Sequence, residues 1–69
     1  MDLTAPLPTI PGARLRAQRV AYGVEIQALA ARLRHSRNTI TAWENHPAVD
    51  VRRQRLYLAA LRELSEEVA

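Results

Sequence analysis

Residues 26 to 45 constrain the chain most. Ile26, Leu29, Ala30 and Leu33 recur at i, i+3, i+4 and i+7, the period of a helix with one apolar face. Ile40 and Trp43 repeat that spacing after a break of a few residues. Arg34 and His35 fill the break, and Ser36 stands where a second helix needs an oxygen to accept from its first free N–H groups. The pattern predicts a helix over about 25–34, a tight turn, and a helix over about 36–45. Neither helix can bury its face alone, so further elements must close over them.

Those elements are predicted on either side. A first helix begins near Pro11 or Gly12, because proline is tolerated in a first turn, and ends at Tyr22 with Gly23 as a left-handed cap. Leu15 and Tyr22 lie seven residues apart on its inner face. Arg19 falls between them and needs a carboxylate partner there. A last helix starts at Asp50 as N-cap, with Leu56, Tyr57, Ala60, Leu61 and Leu64 as its apolar side. Leu58 lies off that stripe and, with Tyr57, is expected to join a dimer seam within 57–68. Residues 1–11 hold Pro6, Pro8 and Pro11, a spacing that resists helix and predicts a flexible extended arm. That arm has no Arg or Lys and is not expected to grip a polyanion. The expectation is an all-α domain of four or five helices over 12–69.

Composition narrows the function. A chain of 69 residues supports one small core. It has no cysteine, so disulfides and thiolate metal sites are out, and no stretch is apolar enough to suggest a membrane span. A cytoplasmic protein is the default. Every one of the ten basic residues is arginine, and they are unevenly placed: the balance is +5 through residue 55 and −2 beyond it. A basic body with an acidic end suits a polyanion approached from one side. His35 and His46 lack acidic company and read as surface turn residues, so no metal, cofactor or small-molecule ligand is expected. No nucleophile has a base and an orienting group, so the chain does not read as an enzyme.

The polar positions of the 36–45 helix have a chemistry of their own. Arg37 and Asn38 stand at its N-terminal end. Arginine can bond a guanine edge bidentately, and asparagine an adenine edge. Helix, turn and helix in this order, with readers at the start of the second helix, form a helix-turn-helix that presents its second helix to a major groove.

With these residues in hand, the chain resembles the phage repressor and Cro type of helix-turn-helix, the XRE family. The residues that carry the likeness are Leu15, Arg16 and Arg19; Gly23-Val24; Leu29-Ala30 and Leu33; Ser36-Arg37, Thr39-Ile40-Thr41; and Trp43-Glu44-Asn45. It covers about 15–45, more loosely the last helix. The resemblance implies a compact lambda-repressor-like fold and a Cro-like repressor that occludes promoters, binding a pseudo-palindromic operator as a homodimer. By position, it implies base reading by Arg37, Asn38, Thr41 and Ala42. It implies phosphate contacts by Ser36, Thr39 and Asn45, and a structural ion pair between Arg19 and Glu44. Arg52 and Arg53 open the last helix where the family's loop meets the backbone and are further phosphate candidates; Arg55 reads as solvated or paired with Asp50.

Three departures bear on the site. Ile26 stands where the family often has a phosphate-contacting Gln, so Gln27 is the candidate substitute. Glu25 replaces a Ser or Thr cap, and Arg34 replaces the turn glycine at a cost of about 1 kcal/mol if that position is left-handed. Two other functions stay open: the DNA-binding antitoxin of a toxin–antitoxin pair, and a protein-interaction module on the same scaffold.

Overall fold

A computed structural model describes residues 8–68. Four helices follow one another: α1 (Gly12–Tyr22), α2 (Ile26–Leu33), α3 (Arg37–Asn45) and α4 (Val51–Val68). The fold is all-α; the one bridge of β type among the described residues joins Ile10 to Val49. α1 packs on α3 and α4, and α2 packs on the same two helices.

Each boundary has a local cause. Ser36 Oγ accepts from the Thr39 N–H at 3.2 Å, and Asp50 Oδ1 from the Arg53 N–H at 2.9 Å, which are the two expected caps. Glu25 sits at the N-cap of α2 without a side-chain cap bond. α1 ends at Gly23 with φ 70°, its N–H donating to the Val20 carbonyl and the Val24 N–H to Arg19. α2 ends the same way, but there Arg34 takes the left-handed conformation, with φ 58°. The 12–22, 26–33 and 37–45 helices lie within two residues of their expected limits.

The core is made of Leu15, Val24, Leu29, Ala30, Ile40, Val49, Tyr57, Ala60 and Leu61, with Ile26, Leu33, Trp43, Leu58 and Leu64 packed partly buried against it. Three expectations need correction. Tyr22 is 51% exposed, because the end of α1 is uncovered: Val20, Ala21 and Gly23 beside it are exposed too. Leu56 is 44% exposed and leaves the apolar side of α4 to Tyr57, Ala60 and Leu61. Tyr57 cannot form a dimer seam, since it is fully buried, and Leu58 packs against the core beside it.

The arm is tied down where it is described. Ile10 and Val49 exchange backbone bonds at 3.2 and 2.7 Å, and Gln54 Nε2 donates to the carbonyls of Pro8 and Val49. The rest of the expected flexible arm, 1–7, lies outside the described residues. Just beyond the bridge, Gly12 approaches the end of α3 so closely that a methyl group there would lie 2.0 Å from the Trp43 carbonyl oxygen. No contact of that length is possible, so any larger residue here must displace the main chain of α3.

Candidate nucleic-acid interface

α3 has two faces of different chemistry. Ile40 and Glu44 are buried, while Arg37, Asn38, Thr41, Ala42 and Asn45 are all exposed. The spacing accounts for this: 38, 41, 42 and 45 fall on one side at i, i+3, i+4 and i+7, opposite 40 and 44. Three of the four expected base readers, Asn38, Thr41 and Ala42, therefore share one solvent-facing stripe, and the fourth, Arg37, is exposed at its edge one turn before Thr41. That stripe carries no carboxylate, because the one acid of α3 points inward.

Burying Glu44 requires partners, and it has three bonds. Arg19 Nε donates to Oε2 at 2.8 Å and Nη2 to Oε1 at 3.2 Å, a bidentate pair. The Tyr57 hydroxyl donates to Oε2 at 2.5 Å. The remaining Arg19 nitrogen, Nη1, donates to the Val24 carbonyl at 3.1 Å. No buried side-chain polar atom among the described residues lacks a partner. The Glu44 hydrogen bond, above all, raises the Arg19 pKa, and burial and then the Glu44 bond push the Tyr57 hydroxyl well above the ordinary phenol range. The expected Arg19–Glu44 pair is present. The Tyr57 bond was missed, although a tyrosine on the buried stripe of α4 needs a partner for its hydroxyl and could have pointed to it.

The exposed stripe is flanked on both sides. On one flank Gln27 and Arg37 line a shallow depression with Glu25 and Ile26, which brings the substitute residue and the first base reader together. On the other, His35, Thr39, Trp43, Arg52 and Arg53 surround a second depression together with Leu56 and one carboxylate, Asp50. The Arg53 guanidinium lies over the Trp43 ring at 5.9 Å, and His35 meets that ring edge-on at 5.3 Å. Trp43 is thus half core, half platform. Its outer face holds a basic side chain beside α3, which spacing alone did not signal.

Other candidates are placed less simply. Ser36 is exposed and Thr39 half-buried, and their hydroxyls bond each other at 2.9 Å. One hydroxyl proton of the pair is therefore already used. Asn45 is exposed at the end of α3. His46 is exposed, with Nδ1 accepting from the Ala48 N–H at 3.0 Å. Arg55 is exposed, and Asp50 serves as the α4 cap. The acidic end is partly balanced, because Arg32 bonds Glu63 at 3.1 Å and also reaches Glu67. No described helix is long and apolar enough to cross a membrane.

No protein-family model, curated protein or solved structure matches the chain.

Proposed function

We propose that the chain binds double-stranded DNA sequence-specifically, with α3 in the major groove, and represses transcription by occluding a promoter. The observation that carries this reading is the exposed stripe of α3, with Arg37 and Asn38 at its N-terminal end and its carboxylate turned inward onto Arg19 and Tyr57. Arg37 supplies two donors for a guanine edge, Asn38 one donor and one acceptor for an adenine edge, Thr41 a hydroxyl, and Ala42 a small apolar contact for a thymine methyl. Arg52, Arg53, Gln27, Ser36, Thr39 and Asn45 are the candidates to hold the flanking phosphates. The likeness to the phage repressor and Cro type, and to its lambda-repressor-like fold, supports the same assignment. Because one such helix reads only a few base pairs, two copies on a two-fold site, with half-sites about 34 Å apart, complete the reading.

The test is selection of bound fragments from genomic DNA with purified protein, followed by footprinting at two salt concentrations. A protected, roughly palindromic site is expected, with binding that falls steeply as salt rises. Absence of binding at low salt would overturn the proposal.

A further inference from the structure

α4 presents to solvent a stripe that the core does not use. Arg52, Arg55, Leu56, Ala59, Glu63 and Glu66 recur at i, i+3, i+4, i+7, i+11 and i+14, opposite the buried Tyr57, Ala60 and Leu61, and all six are exposed. The stripe is ordered by charge: arginines at its N-terminal end, Leu56 and small Ala59 in the middle, glutamates at its C-terminal end. Leu56 is one of three large apolar side chains exposed among the described residues, and with Ala59 and Leu33 it lines an apolar groove between α2 and α4.

We propose that this face pairs with the same face of a second copy, the two α4 helices running antiparallel about Ala59. An antiparallel two-fold pairing sets residue 59−n opposite residue 59+n. Arg55 of one copy then meets Glu63 of the other at Oε1, the oxygen that the Arg32 bond leaves free, and Arg52 meets Glu66, which leaves Arg53 as the phosphate candidate of this helix; each pair is formed twice. Ala59 lies on the axis, where a small side chain lets two helices approach closely. Leu56 comes within a turn of the partner's Ala59, beside the apolar groove. A parallel pairing would instead oppose Arg to Arg and Glu to Glu. The proposal deepens the two-copy part of the DNA reading, but its evidence lies on α4 alone and its tests use no DNA.

Two experiments decide it. In sedimentation over a concentration series the unaltered chain is expected to dimerise. Arg55→Glu and Glu63→Arg each place like charges opposite one another at two points, and each alone is expected to raise the dissociation constant at least ~10-fold. Mixed together, these two variants regain both opposite-charge pairs and are expected to dimerise again. In the second experiment Ala59→Cys, in a chain otherwise free of cysteine, should oxidise to a covalent dimer. Arg55→Cys should not, because its mate lies about 12 Å away along the helices, beyond disulfide reach. All three positions are exposed, and because Glu63→Arg also gives up the bond to Arg32, circular dichroism checks that the variants fold. An unaltered chain that stays monomeric would overturn the proposal and leave the face to a different protein partner. So would a mixture no tighter than its components, or an Ala59→Cys chain that stays reduced. Each of these outcomes can occur whether or not an operator is found.

Discussion

Glu44 accepts from both Arg19 and Tyr57 inside a core of nine apolar side chains, so its loss reaches beyond one bond. Glu44→Ala would strand the Arg19 guanidinium, 14% exposed, without its counter-charge. A loss of about 3 kcal/mol is expected in denaturant unfolding, and an unchanged midpoint would show the pair to be dispensable. Tyr57→Phe removes only the hydroxyl, a bond to a charged acceptor, for about 1.5–3 kcal/mol. That variant also tests a pH dependence. The Tyr57 proton is held more tightly in the folded than in the unfolded chain, so its contribution is complete below about pH 10 and declines as pH rises past it. The unaltered protein should lose stability more steeply above pH 10 than Tyr57→Phe does, as followed by thermal melts. The two special backbone positions predict opposite signs. Gly12→Ala should destabilise by about 1–3 kcal/mol or more, since the Trp43 carbonyl must move aside. Arg34→Gly should stabilise by about 0.5–1 kcal/mol, because it relieves a left-handed arginine whose side chain is exposed.

The helices were legible because their signals are local. Ser36 and Asp50 announce two starts, Gly23 one stop, and the 3.6-residue spacing of Leu29, Ala30 and Ile40 their inner faces. Leu56 was grouped with the buried stripe of α4 although it lies on the other side of the helix from Tyr57, Ala60 and Leu61; Tyr22 was misplaced for a different reason. Periodicity tells which side of a helix is apolar, but not how far along its length a neighbour covers it. The same local reading left Arg32 as one more surface charge, because Glu63 and Glu67 lie more than thirty residues away in the chain. On α3 the stripe of candidate readers followed from spacing, while the Arg53–Trp43 stack on its flank depends on how α4 crosses it. If α3 reads bases, the two kinds of arginine should separate in titrations with operator and random DNA. Arg37→Ala should cost about 1–3 kcal/mol on the operator and relax preference at one base pair. Arg53→Ala should weaken both DNAs alike and reduce the salt slope by about one.

Across the whole molecule the charge asymmetry seen in the sequence is only partly realised. Arg32 draws Glu63 and Glu67 toward α2, so the acidic end of α4 is braced against the body, and Glu66 is left facing outward. What could not be read in advance is the set of backbone meetings between distant segments: Ile10 with Val49, Gly12 with His46, and Gly12 against Trp43. These leave no trace in hydrophobic period or charge, since main-chain atoms are common to every residue. The last of them has a mechanical consequence. With main chain pressed on main chain at the carboxyl end of α3, and Arg19 gripping Glu44 two turns of α1 further along, α3 has no freedom to pivot on its own. Any surface it meets must be approached by the body as a unit. If α3 reads bases, changes to its outward side chains would then alter what is recognised and leave the angle of approach as it is.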